Sequence, residues 1–192
     1  MSAELIPIDT LTPQRWKNGA GHTRELAIEP RGASLDGFDW RLSVAEVAGD
    51  APFSAYPGID RCLVVLCGAG MLLQPKGAEP LRLDAASPPF AFPGEEALDA
   101  RTIDGPCVDF NVMTRRGRWS AEVARVDGPC RVGAAPVLLV LCGAGSLRAA
   151  AAGEAAHPLQ AMQALLWRDG APAVRIDPLT ADCRALWVRL WP

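Results

Sequence analysis

The segment CLVVLCGAG at positions 62–70 returns as VLLVLCGAG at positions 137–145, an offset of 75 residues. The same offset carries Phe90-Ala91-Phe92, the apolar run leading into Pro93-Gly94, onto Leu165-Leu166-Trp167, so the relation extends past the nine matched positions. A long period present twice implies two copies of one unit, whereas solenoids repeat short units many times. In each copy a Leu/Val-rich run ends at Gly-Ala-Gly, which reads as a strand closing in a tight turn. Further out, FDWRLSV at positions 38–44 alternates, with Phe38, Trp40, Leu42 and Val44 on one face and Asp39, Arg41 and Ser43 on the other. DFNVM at positions 109–113 alternates too. Turns come from Asn18-Gly19, Pro57-Gly58, Pro93-Gly94, Gly105-Pro106 and Gly128-Pro129. The best helical window, 149–166, contains Gly153 and Pro158, and a proline there removes a ladder bond and clashes with the preceding turn. The chain therefore reads as all-β, a sandwich or barrel in each copy.

With 192 residues, 49% of them apolar and 21% charged, the chain has enough hydrophobic surface to fold and too little charge to stay disordered. A net charge of -3 provides no global basic field, so nucleic acid is not an expected partner. Only Lys17 and Lys76 are lysines; the other cations are arginines, which can grip a carboxylate with two donors. The six cysteines include no Cys-x-x-Cys pair and read as buried packing residues in a reducing compartment. Positions 1–10 carry Glu4 and Asp9 and no basic segment leading into an apolar one, and the longest apolar stretch falls short of the ~20 residues that span a bilayer. The expectation is a soluble, cytoplasmic protein with no membrane partner.

A strand, Gly-x-Gly turn and strand occurring twice in an all-β chain resembles a cupin, and two copies make a bicupin. Five segments sharpen the likeness: WKNGAGHTRE at 16–25, FDWRLS at 38–43, PFS at 52–54 with PGIDR at 57–61, FPG at 92–94 and DFNVM at 109–113. Together they resemble the HutD/Ves family over roughly residues 16–116, while the C-terminal copy matches chiefly through the internal repeat. The resemblance implies a bicupin with an N-terminal copy at 1–116 and a C-terminal copy at 117–192. It also implies association with histidine degradation and an intracellular ligand-binding role.

Several chemistries are disfavoured by the residues themselves. His22 and His157 are the only histidines, so the His-x-His of metallocupins is absent; no metal and no cofactor are expected. His22 reads as a turn residue with a solvated ring, and His157 as a loop residue before Pro158. Ser43 and Ser54 lack a Gly-x-Ser-x-Gly elbow, and Cys67 and Cys142 end apolar strands, so no nucleophile stands out and the catalytic residues stay unassigned. Positions 18–23 have glycines and a threonine but no phosphate-loop lysine.

A polar set remains on strands that ought to be apolar, and Arg41 and Ser43 could face solvent or the barrel interior equally well. The family resemblance gathers Trp16, Asn18, Thr23, Glu25, Arg41, Ser43, Arg61 and Asn111, to which the alternation at 109–113 adds Asp109. Two cations with carboxamides and hydroxyls suit a small polar anion. The competing interpretation pairs Arg41 with Glu25, and Arg61 with Asp60 or Asp109, as structural bridges. The leading expectation is a metal-independent binder of an acidic intermediate of histidine utilisation, urocanate or a formylated or formiminated glutamate. A metal-free enzyme using Glu25 or Asp109 as acid or base, and a stress-related protein with another polar ligand, are the alternatives. A small acidic metabolite is thus the expected partner, and a homodimer the expected assembly if there is one.

Overall fold

The computed structural model describes residues 2–192, and among them the only helix is a single 3-10 turn at Ile8–Thr10. Everything else regular is strand, in four antiparallel sheets. No helix is long and apolar enough to cross a membrane.

Contacts divide the chain into two units: one is Leu11–Trp119, and the other joins the N-terminal segment ending at Thr10 to Ser120–Pro192. This differs from a cut at 116/117 in one informative way. Strand Glu4–Pro7 pairs with Gln163–Trp167, and the Ile8 amide donates to the Met162 carbonyl at 2.9 Å, so the first residues belong with the second unit.

The repeat is visible as topology. In the Leu11–Trp119 unit one sheet contains Trp40–Val47, Cys107–Arg115, Ile59–Cys67 and Phe90–Pro93 in that spatial order, and Gly21–Glu29 with Gln14–Arg15 extends its first edge. The second unit repeats the order as Ser120–Arg125, Arg184–Trp191, Val137–Ala144 and Gln163–Trp167. The facing sheets match as well: Ala51–Pro52, Leu98–Thr102, Met71–Pro75, Leu81–Leu83 against Cys130–Val132, Val174–Pro178, Ser146–Ala151, His157–Gln160. Each unit is thus two sheets with apolar side chains between them.

The core of the first unit gathers Val47, Leu63, Val65, Met71, Leu73, Leu83, Phe92, Leu98, Ala100 and Cys107. The second holds its own, including Leu138, Val140, Cys142, Leu147, Leu165, Trp167, Val174 and Ile176. The strand Trp40–Val47 is buried on both faces: Trp40, Leu42 and Val44 on one, Arg41 and Ser43 on the other. Arg41 and Ser43 therefore point into the first unit and not to solvent, while the strand's third polar residue, Glu46, is partly exposed on the other face.

Three readings of the sequence are corrected. His22 lies inside strand Gly21–Glu29, half-buried, with its Nε2 2.7 Å from Arg24 Nη1 and 3.8 Å from Glu46, so it is not a solvated turn residue. His157 opens strand His157–Gln160 instead of sitting in a loop. The six cysteines are free, but only Cys107 and Cys142 are fully buried, and Cys67 is exposed.

Candidate functional site

Sheet register arranges the site in three rows across the concave face of the first unit. Thr23, Ala45, Asp109 and Val65 form one row of directly opposed residues; Glu25, Ser43, Asn111 and Leu63 form the next; Arg41, Met113, Arg61 and Phe92 form the third. Side chains two apart on a strand share a face, so all three rows look into one space. Arg41 and Arg61 flank Met113, roughly 10 Å apart at two strand spacings.

These rows floor a cavity of about 560 Å³. Of the nine side chains expected from sequence, Trp16, Asn18, Thr23, Arg41, Ser43, Arg61, Asp109 and Asn111 line it. Glu25 does not, and serves instead as the acceptor for Arg41, whose Nε donates to Glu25 Oε2 at 2.8 Å. The structural bridge weighed for Arg41 is therefore present. Asp60, the acidic neighbour considered for Arg61, pairs with Arg116 at 2.8 Å.

Arg61 is held differently. One terminal nitrogen donates to Asn111 Oδ1 at 2.8 Å and the other to the Ser54 carbonyl at 3.3 Å. Its guanidinium carbon lies 4.9 Å from the Phe92 ring centre, 5.1 Å from Phe53 and 5.6 Å from Tyr56, within reach of cation–π attraction from all three. Burial lowers its pKa from the usual value and the nearby Asp109 works against that shift, but arginine remains charged at neutral pH.

The bond order beyond Arg61 has a direction. The Asn111 carboxamide oxygen accepts from Arg61, so its nitrogen faces Asp109 and donates to Oδ1 of that carboxyl. Asp109 is 1% exposed, and its Oδ2 is buried with no hydrogen-bond partner among the described residues. Burial pushes its pKa up to about 7, with Arg61 acting in the opposite sense.

The open side is shaped by the 14–23 hairpin. Gly19 takes a φ of +74°, the Asn18 Oδ1 accepts from the Ala20 amide at 3.1 Å, and the turn brings Trp16 over the sheet, where its indole nitrogen donates to Thr23 at 2.8 Å. The Asn18 oxygen is thus engaged locally, leaving its amide nitrogen as the group this side chain can offer. The opposite wall is the 52–58 segment, tied down by Phe53 N to the Leu98 carbonyl at 2.8 Å and Tyr56 N to the Gly94 carbonyl at 2.7 Å.

Arg61 sits at the mouth of its strand, where the sequence leads one to expect its stem to pack on Phe53 or Tyr56, and both rings are there; Phe92, the third ring of this aromatic cage, was not among the sequence expectations, although FPG at 92–94 belongs to the matched segments. The signal was there: three aromatic side chains bracket a lone arginine at a strand start. Among the described residues no three His, Cys, Asp or Glu side chains cluster to hold a metal ion. A second depression of about 510 Å³ on the other unit is lined by alanines with exposed Arg131 and Arg175, and carries no buried polar group.

The comparisons agree with this architecture. The family model described as HutD matches residues 9–185. Protein Ves of Citrobacter koseri is 34% identical over 176 residues, covering 90% of this chain and 87% of its own. A 21.2 kDa protein from the hutC 3′ region of Pseudomonas putida is 36% identical over 131 residues, 68% of each chain. The solved structure of HutD from Pseudomonas fluorescens SBW25 aligns with a TM-score of 0.84 at 30% identity, over 98% of both chains. A cupin 2 conserved barrel domain protein from Leptotrichia buccalis, at 9% identity and a TM-score of 0.60, shares the fold alone. The expected all-β bicupin is borne out.

Proposed function

This chain belongs to the HutD family, and from that premise we propose that it is a small-molecule-binding protein of histidine utilisation, holding an acidic pathway intermediate in its first barrel without a metal. The observation that carries the reading is Arg61: a buried cation packed among three rings, lining a cavity together with Asn111, Ser43 and Thr23. A guanidinium so placed gives a carboxylate both a charge and a planar donor fork. A relative encoded in the hutC 3′ region supports the metabolic setting. The candidate ligands are urocanate and the formylated or formiminated glutamates.

A thermal-shift series with urocanate, N-formylglutamate and N-formiminoglutamate tests the proposal. At least one should raise the melting temperature of the wild-type chain and fail to do so for Arg61→Ala. No shift with any of the three would sink the acidic-intermediate reading.

The enzymatic alternative keeps one specific support, a buried carboxyl at Asp109 that titrates near neutrality, where an acid or base works best. Glu25, committed to Arg41, is the weaker candidate. Incubating each compound with the protein and following its proton NMR spectrum separates the readings: turnover abolished by Asp109→Asn favours the enzyme, and unchanged spectra favour the binder.

A further inference from the structure

At the floor of the cavity the charges do not suit an anion as they stand, the other lining cations, Arg15 and Lys17, being exposed at its rim. Arg41 is already answered by Glu25, and Arg61 shares the floor of the cavity with the carboxyl of Asp109. If Asp109 is ionised, the two cancel, and an entering carboxylate creates an uncompensated buried negative charge. Asp109, a lining residue of that space, also has an oxygen to spare: Oδ1 accepts from Asn111, while Oδ2 is buried without a partner.

Building on the acidic-ligand reading above, we infer that the pocket takes up its anion together with one proton, which Asp109 binds and presents from Oδ2 to an oxygen acceptor on the ligand. The proton comes from solvent, one O–H bond forms on Asp109, and no other bond changes. The ligand class this selects has a carboxylate or carbonyl oxygen reachable by both the Arg61 fork and the Asp109 hydroxyl. Asp109 thereby becomes a specificity residue, since a neutral acid donates where a carboxylate can only accept.

The surroundings of Asp109 support proton uptake. On its own strand the near titratable group is Cys107, whose thiol burial pushes up to about 12, so it stays neutral. Strand Ile59–Cys67 contributes Arg61 and Cys67, strand Trp40–Val47 contributes Arg41 with its partner Glu25, the 52–58 wall contributes Tyr56, and the rim has Arg15 and Lys17. Arg61 is the cation nearest in effect, and its pull is outweighed by burial, which leaves the carboxyl titrating at about 7 before any ligand arrives. A carboxylate bound alongside raises that value further.

Titration calorimetry of the full chain with N-formylglutamate, from about pH 5.5 to pH 8.5, tests this in buffers of different ionisation enthalpy. The carboxyls of that probe stay ionised throughout the range, so any proton taken up goes to the protein. Affinity should fall by up to tenfold per pH unit above about pH 7, with close to one proton absorbed per ligand, and should level off below. Asp109→Asn should bind with a flat pH profile and no proton uptake. Tight wild-type binding that is independent of pH and buffer overturns the inference while leaving the acidic-ligand reading standing. Absence of binding at every pH removes that reading and this inference with it. The wild-type buffer dependence decides the matter even if the variant misfolds.

Discussion

Arg61 keeps its charge in a place where charge is expensive, and what surrounds it determines what substitution does. Its aliphatic stem and guanidinium pack among Phe53, Tyr56 and Phe92, so lysine would keep the charge and lose the planar fit to rings and carboxylate. Arg61→Lys should therefore weaken N-formylglutamate binding nearly as much as Arg61→Ala, by about 2–5 kcal/mol, the range for removing one partner of a buried charged pair. Calorimetry measures it. Unchanged affinity with a lowered melting temperature of the ligand-free variants would make Arg61 a structural residue. Asp109 yields a second expectation with a definite sign. Its carboxyl holds a proton up to about pH 7 when folded and releases it near 3.8 when unfolded, so the folded state binds more protons between those values. Stability from this group is greatest below about pH 4, declines as pH rises toward 7 and is flat above. The swing is of order 4 kcal/mol, and Asp109→Asn should abolish it. Urea unfolding of both proteins at about pH 5 and pH 8 checks this: a wild-type difference no larger than that of the variant would refute it.

At the scale of elements, much of the site was legible because β-strands alternate. Asp109, Asn111 and Met113 share a face, as do Arg41 and Ser43, and the repeat at 62–70 and 137–145 marked equivalent strands in both units. Alternation does not say which face looks inward, because a strand buried on both sides, as the one carrying Arg41 and Ser43 is, has no solvent face to betray itself. Phase was also broken by bulges between Glu25 and Ala27 and between Val108 and Asp109, which no hydrophobic pattern announces. The cage is legible only in part for a related reason: Phe53 and Tyr56 are close to Arg61 in sequence, Phe92 comes from the neighbouring strand, and the segment holding Tyr56 is positioned by backbone bonds. Gly94 makes those bonds. Its amide donates to the Ile59 carbonyl at 2.6 Å, its carbonyl accepts from Tyr56, and a Cβ there would stand 2.6 Å from the Tyr56 oxygen. Gly94→Ala should thus cost ~1–3 kcal/mol of stability by overpacking and also reduce ligand affinity by shifting Tyr56. Gly77→Ala is the control, with a φ of +79° and open space around it: mild strain and unaltered affinity. Equal affinities in both variants would detach the turn from the site.

Across the whole molecule, one architecture is used twice, and of its two copies the first lines its cavity with buried polar side chains. The repeat aligns Leu63 with Leu138 and Val65 with Val140, and sheet pairing then aligns Asn111 with Arg189, Asp109 with Trp187 and Ser43 with Glu122. The residue matching Arg61 is Pro136. In the second unit Arg189 lies 5.6 Å from the Trp187 ring centre and donates to Glu122, with its Nε at 2.9 Å. An arginine over an aromatic ring holding a carboxylate is the arrangement proposed for the first unit with ligand bound, except that here the carboxylate belongs to the protein. The second copy has its anion built in. Arg189→Ala should consequently leave N-formylglutamate affinity unchanged, and should lower stability by only about 1 kcal/mol because the pair is partly exposed. Hydrogen exchange with saturating ligand offers the complementary measurement. Protection should rise in Gly21–Glu29, Trp40–Val47, Ile59–Cys67 and Cys107–Arg115, since a ligand suppresses the local openings of the unit that holds it. The strands Val137–Ala144 and Arg184–Trp191 should exchange as before. Ligand-induced protection confined to those two strands, or loss of affinity in Arg189→Ala, would place the working site in the second unit and overturn the division of labour between the two copies.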